Sequence, residues 1–481
     1  MRLRLSRVVM LSVAGLAACK PSDILSVPAP VGTQPTAALQ NQTGAEGVYD
    51  GAKMQVYNAF GGQFGLFELT GLFTDEFIFS GFTQYPYIAE IDARISEYQS
   101  GIEQGDGNWA QLLAGRSAVF VALPLLQQYE PPTGQWMIGE VYALAGYSEL
   151  FLAETFCSGT TLDRVVPGGG VQYGMPLTDD SLLGTAIAHF DSAIAQAHGN
   201  SAITNLARVG LARALLDRGQ YSQAASAAQP VPGGFVYNIA LQPNGDSPPY
   251  SDNMYAQGYE FGYSRDFNVS DREGGNGLDF LSAHDPRLAV DSTLPNADNT
   301  GPWYLPIKFE TNLSNIPLAT ALEARLIAAE AALKSGSINT WLADLNALRN
   351  SGCSVSGTDT TCTVGSEQVA GQTVGLPSLQ DPGTDSGRVT LMFRERAFWL
   401  FGTGERLGDL RRLMRQYGRA ANEVYPTGAY ASGENPNLSS PIPRYGTDVT
   451  ITLPTSAGLA AANQTISNPH YRGCLASTTT P

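Results

Sequence analysis

An all-α fold, a scaffold of tetratricopeptide-like helical hairpins interrupted by large irregular loops, is what this 481-residue sequence predicts. Three observations carry the prediction. Apolar residues recur at steps of three and four along several stretches, the period of a helix with one face turned to a core. Two Ala-rich stretches, Asn205–Pro230 and Ala321–Arg349, each break at a Gly-containing turn between two helical runs, as repeats of paired helices do. Residues 230–318 between them are rich in Pro, Gly, Asn, Asp and Ser and hold no sustained helical period.

Arg2, Arg4 and Arg7 precede the apolar run Val8–Ala17, the form of an export signal and too short for a spanning helix. Leu16-Ala17-Ala18-Cys19 has the look of a bacterial lipobox. Residues 1–18 are therefore expected to be a signal peptide, and Cys19 the acylated first residue, held stably if several chains are attached. Lys20-Pro21 follows without the Asp that resembles an inner-membrane retention signal, so the outer membrane is the expected location. Prolines 21, 28, 30 and 35 make residues 19–38 an extended tether.

Residues 39–481 are read as one domain. Val48, Ala52, Val56 and Phe60 step by four; Met137, Val141, Leu144, Ala145, Ser148 and Phe151 form a later stripe. Leu183, Ile187, Phe190 and Ile194 repeat the pattern after a cap at Thr178 or Asp179. In the first Ala-rich hairpin the turn falls at Arg218-Gly219 and Tyr221 opens the second helix; in the other the turn is Lys334-Ser335-Gly336. The helical scaffold thus covers about 39–229 and 319–415, around the insertion at 230–318 and before a loop-like segment, 416–481. Twelve aromatics between residues 230 and 310 argue against disorder, and so long an ordered insertion points to function.

Net charge is −16, which disfavours nucleic acid as a partner, because phosphate binding rests on clustered Lys and Arg. Besides Cys19 there are Cys157, Cys353, Cys362 and Cys474, an even number that favours disulfides in an exported chain. Cys353 and Cys362 close a short loop and are expected to pair locally, which leaves Cys157 with Cys474. His189, His198, His284 and His470 show no ligand spacing, so neither a metal nor a cofactor is expected. The hydrolase, nucleotide and dinucleotide motifs are missing. A glycoside hydrolase pairing Asp75 or Glu76 with Glu90 or Asp92 is the strongest catalytic alternative, but any acidic chain offers such pairs, and the reading is of a non-enzyme.

From Arg388 to Arg415 two helical stripes, Leu391, Ala397 and Phe398 with Phe401, then Leu407, Leu410 and Met414, flank Gly402-Thr403-Gly404. Arg394, Glu395, Arg396, Glu405, Arg406, Asp409, Arg411, Arg412 and Arg415 crowd the same pair of helices. Arg forks pair best with carboxylates in half-buried places, so a structural ion network that docks this hairpin is expected.

This stretch resembles the C-terminal signature of the SusD/RagB family of outer-membrane nutrient-binding lipoproteins. The resemblance lies in Glu395-Arg396-Ala397-Phe398-Trp399-Leu400, Gly404-Glu405-Arg406 and Asp409-Leu410-Arg411-Arg412, in that order. Asp23–Pro28, His284-Asp285-Pro286-Arg287, Ala329-Glu330-Ala331, Pro441-Ile442-Pro443 and Asn468-Pro469 are similar to further family features, although Arg444 stands where an acidic residue usually follows. The resemblance implies a non-catalytic binder that captures an oligosaccharide or similar nutrient and delivers it to a TonB-dependent outer-membrane transporter. It implies a ligand site among loops on one face. Flat rings stack on sugar faces, so Tyr85, Tyr87, Tyr250, Tyr255, Tyr259, Trp303 and Tyr304 are the candidates, with Asp252, Asn253 and Arg265 for polar contacts. The alternative is a tetratricopeptide-like scaffold that binds peptides or proteins at the outer membrane.

Overall fold

The computed structural model describes residues 39–62, 65–80, 86–95, 105–166, 170–240, 267–296, 299, 301–309, 315–350, 353–356, 359–362, 372–374, 376–430, 442–454 and 468–475. Residues 1–38, on which the expected signal peptide, Cys19 and the expected tether fall, lie outside them. Helices dominate, and the strands are short and antiparallel.

Helix α1 (Gln42–Gly61) begins at Asn41, whose side chain accepts from Gly44 N. After α2 (Leu66–Phe73), β1 (Phe77–Phe79) and α3 (Pro86–Asp92) come the long α4 (Gly105–Tyr129) and α5 (Trp136–Thr155). The hairpin β2 (Arg164–Val166) and β3 (Gly170–Gln172) precedes α6 (Asp179–Ala195), α7 (Ser201–Asp217) and α8 (Tyr221–Ala228). Thr178 is the cap of α6, accepting from Ser181 N. Gly219 turns the chain between α7 and α8 at φ +70°, a conformation that costs other residues more.

Each of these helices packs on the next: α1 on α4, α4 on α5, α5 on α6, α6 on α7 and α7 on α8. Helix α8 then packs on α9 (Ala321–Lys334), and α9 on α10 (Ile338–Asn350). The chain between α8 and α9 therefore leaves and returns at one seam. Strand β4 (Val236–Ile239) pairs with β6 (Ile316–Thr320), Val236 facing Thr320 and Ile239 facing Ile316, which ties the two ends together. A long excursion is tolerable there because closure entropy grows only slowly with length.

Close approach between helices rests on small residues. Phe190 of α6 is fully buried, edge-on to Tyr147 of α5 at 5.1 Å. Gly146 and Gly210 face its ring from α5 and α7, and a methyl at either would collide with it. Helix α4 is long and apolar enough to cross a membrane, yet it lies between α1 and α5 and carries Arg116, paired at 2.7 Å with the buried Glu149.

The charged hairpin is α11 (Asp385–Trp399) and α12 (Arg406–Tyr417), joined by a turn in which Gly404 takes φ +87° against the ring of Phe67. Its arginines reach most of the scaffold. Arg412 donates to Glu330 of α9 at 2.5 Å and to Asp409 at 2.6 Å, with Asp217 of α7 at 3.3 Å. Arg396 meets Asp409 at 2.7 Å. Arg406 forks onto Asp75 at 2.6 and 2.8 Å. Arg411 donates to the last carbonyls of α5, Ala153 and Glu154, and to Asp179 at the start of α6. Glu395 receives Arg287 at 2.8 Å and Arg349 at 2.7 Å, and Glu405 faces Arg213, itself forked onto Glu154. Arg394, on Asp279 at 2.5 Å, and Arg388, on Asp381 at 2.8 Å, sit at the half-exposed margin.

Burial acts to raise the Asp409 carboxyl, but the guanidiniums of Arg396 and Arg412 outweigh it and hold it down at about 2. Elsewhere burial outweighs the nearby arginines. Burial pushes Glu76 up to about 8 despite the Gly402 N–H it accepts, and pushes Glu323 up to about 8 with help from Glu405. A second, smaller core of Trp341, Leu345, Met392 and Phe393 fixes α10 against α11.

Past the short α13 (Ala421–Val424) the chain returns along α5: Cys157 N donates to Ile451 O and Ile451 N to Thr155 O, each at 3.0 Å. A disulfide joins Cys157 to Cys474 across 317 residues, with Cα atoms 5.6 Å apart. Strands β7 (Cys353–Ser356) and β8 (Asp359–Cys362) place Cys353 directly opposite Cys362; the side chains of that pair lie outside the described residues.

Candidate functional site

Three stretches carry the aromatics proposed for ligand contact, and their described roots meet at one short antiparallel sheet. Strand β1 leads into residues 80–85, and β5 (Phe267–Val269) emerges from residues 241–266. The two strands pair antiparallel with Phe79 opposite Phe267, Ile78 opposite Asn268 and Phe77 opposite Val269. The last residue of one strand and the first of the other are thus neighbours, about 5 Å apart between Cα atoms as such pairs are. The third stretch joins through the side chain of Asn268, which accepts from Tyr304 N at 2.7 Å, while Val269 N donates to Tyr304 O.

Tyr85, Tyr250, Asp252, Asn253, Tyr255, Tyr259 and Arg265 themselves lie outside the described residues. Tyr87 falls in α3, where only its backbone is described. Tyr304 is half-buried and packs on the main core. Trp303 is 4% exposed and belongs to that core. A ring so covered presents almost no face to a sugar.

Next to this sheet lies a buried polar cluster, joined to it through Phe79. Asp92, the last residue of α3, accepts from Phe79 N and from Tyr430 Oη, both at 2.6 Å. Glu273, four residues after β5, accepts from Tyr445 Oη at 2.9 Å. Arg94 runs its guanidinium into the C-terminal segment and donates to the carbonyls of Pro426, Gly446 and Asp448 at 2.7–2.8 Å. Gly446 N donates back to Ala93 O at 2.7 Å. The cluster therefore binds α3, the turn after β5 and the C-terminal segment into one base. Arg94 and Arg272 hold it with left-handed backbones, φ 56° and 54°, which non-glycine residues adopt at a cost.

Asp75 and Glu76, half of the hydrolytic pair offered by the sequence, are buried and committed, Asp75 to Arg406 and Glu76 to Gly402 N. Asp92 is also fully buried. No group of His, Cys, Asp and Glu among the described residues is arranged to hold a metal ion. Sequence reasoning missed Asn268, Arg94 and Glu273, since nothing in their local spacing distinguishes them from ordinary loop residues.

Neither a protein-family model nor a curated protein sequence matches this chain. Solved structures do. A SusD-like carbohydrate binding protein from Bacteroides vulgatus ATCC 8482 is 15% identical with a TM-score of 0.59, covering 91% of this chain and 100% of its own. A SusD superfamily protein from Bacteroides thetaiotaomicron VPI-5482 is 14% identical with a TM-score of 0.60, covering 90% and 100%. A laminarin binding SusD-like protein is 16% identical with a TM-score of 0.51, covering 80% and 96%. At such identities the likeness is one of fold, and it extends over most of both chains.

Proposed function

We propose that this chain, which shares the fold of the SusD-like proteins, is a non-catalytic outer-membrane lipoprotein that binds an oligosaccharide and passes it to a TonB-dependent transporter. The observation that carries the reading is the meeting of the roots of residues 80–85 and 241–266 with Tyr304 at one short sheet. Those stretches hold Tyr85, Tyr250, Tyr255 and Tyr259 beside Asn253 and Arg265, the mixture of flat rings and polar groups that suits sugar faces and hydroxyls. Solved structures of the same fold include proteins described as carbohydrate binding and laminarin binding, which supports a glycan as the ligand class. The lipobox-like Leu16–Cys19 and the proline-rich tether support anchoring through Cys19.

Handover to a transporter follows from the family resemblance, and the chain shows no nucleotide motif with which to drive uptake itself. Calorimetric titration against glycans tests the binding step. Tyr85→Ala and Tyr304→Ala are expected to weaken binding of the same sugar, each by about 1–3 kcal/mol if the ring stacks in a desolvated site. Trp303→Ala is expected to act mainly through stability. Unchanged affinity in both tyrosine variants contradicts this placement.

A further inference from the structure

One surface belongs neither to the core nor to the loop roots. From Asn108 to Tyr129, helix α4 carries a single charged residue, Arg116, which is buried on Glu149. Its outer side runs through Gln111, Ala114, Ala118, Val121, Leu125 and Gln128 at steps of three and four, all exposed or half-buried and none charged. The hairpin of β2 and β3 lies alongside: Arg116 donates to Asp163 O at 3.5 Å, and the Arg164 guanidinium stacks on Phe120 at 5.4 Å. Val171, Tyr173 and Met175 alternate along the returning arm of that hairpin and are 48%, 39% and 61% exposed. With Val121 they make four of the six large apolar side chains that are exposed among the described residues. Single exposed apolar residues are ordinary, but a group of them marks a contact surface.

We infer that this uncharged face, α4 with the hairpin of β2 and β3, rests on the lipid surface that holds Cys19. The inference rests on the anchoring proposed above. Val56 of α1 lies against Gly115 at the middle of α4, and Tyr49, two turns earlier, reaches Glu140 in the second turn of α5. The start of α1 is therefore at the end where α4 passes into α5, and the chain enters the fold beside the last turn of α4. Leu39 stands twenty residues after Cys19, a reach of at most about 70 Å, whereas α4 is about 38 Å long. The anchor thus keeps the lipid surface within reach of the whole face.

Charge favours this face over the others. The chain carries 44 acidic against 28 basic residues, so its surface on average is repelled by anionic headgroups, whereas this strip offers them nothing to repel. Arg164, exposed at its margin, meets a headgroup phosphate, and Tyr173 takes the headgroup level at which amphipathic rings gather. Arg116 stays with Glu149, so α4 lies on the lipid and does not cross it.

Footprinting of the whole chain, made with its lipobox and placed on phosphatidylcholine vesicles, tests the contact. A water-soluble carbene label is expected to mark Val121 and residues 170–175 at about one third or less of its level on the unanchored chain beginning at Lys20, because an interfacial face is withdrawn from water. Val236, 53% exposed on β4, is expected to label alike in both. Tyr173→Glu combined with Met175→Glu, two changes at exposed positions, is expected to restore labelling at Val121. Equal labelling of the parent at Val121 and 170–175, with acyl mass present on Cys19, overturns the inference and leaves the anchoring intact; an unacylated Cys19 overturns both. Labelling of the Lys20 chain that falls with protein concentration in the absence of vesicles identifies a second copy as the occupant and also overturns the inference.

Discussion

Arg412 shows why the charges of the terminal hairpin cannot be traded for other cations. Its fork holds Glu330 and Asp409 at once, and its Nε faces Asp217, all with almost no solvent. Removing one partner of a buried pair strands the other charges, so Arg412→Ala is expected to lower unfolding free energy by about 3–5 kcal/mol. Arg412→Lys should recover little of it, because a point charge cannot replace the fork; denaturant unfolding of both variants checks this. The pH profile carries two signs. Glu76 and Glu323, raised from 4.5 to about 8 by burial, contribute stability that is full below the unfolded value and is lost as pH rises through 8. Asp409, held at about 2 against 3.8, contributes stability that is full above 3.8 and is lost as pH falls through 2. The unfolding midpoint is therefore expected to fall between pH 5 and pH 9, and Glu76→Gln to flatten that fall; a midpoint that rises across the range contradicts the assignment.

Helix packing depends on the wedge of Phe190 between α5 and α7. Gly210→Ala pushes a methyl into a ring with no room to turn, and overpacking of this kind costs about 1–3 kcal/mol; a thermal melt that matches the parent would show that α7 shifts freely. The Cys157–Cys474 bridge closes a loop of 317 residues, for which chain entropy sets a contribution of up to about 5 kcal/mol. Reduction, or Cys474→Ala, should lower stability and release protection first where the C-terminal segment lies along α5. Much at this scale was legible in the sequence. The cap at Thr178, the turn at Arg218-Gly219, the stripe from Val48 to Phe60 and the two Ala-rich hairpins are local patterns, and local sequence determines them. The short strands were not legible, because β1 and β5 are three residues each and their pairing joins positions about 190 apart, where no periodicity reaches. The ion network was legible only by half: the hairpin's own charges stand out, whereas Asp75, Glu154, Asp217 and Glu330 are scattered across the scaffold.

At the scale of the whole molecule, a stack of helices α1 and α4–α10 is the frame, and the chain between α8 and α9 leaves it and returns to it at the paired strands after α8 and before α9. The hairpin α11–α12 locks the frame from within, and the disulfide ties its far end. The aromatic richness of residues 230–310 pointed to a binding insertion, but not to which rings face outward; Trp303, conspicuous in sequence, is core. That distinction depends on how Asn268 and β5 seat the residues after Pro302, which composition does not encode. The most direct test is calorimetric titration of the soluble chain beginning at Lys20 against a panel of oligosaccharides, peptides and small polar nutrients. Saturable binding of one oligosaccharide class, weakened by Tyr304→Ala, is the expected result. Binding of peptides with no response to any sugar would contradict the account and make the helical stack, rather than the loops, the recognition surface.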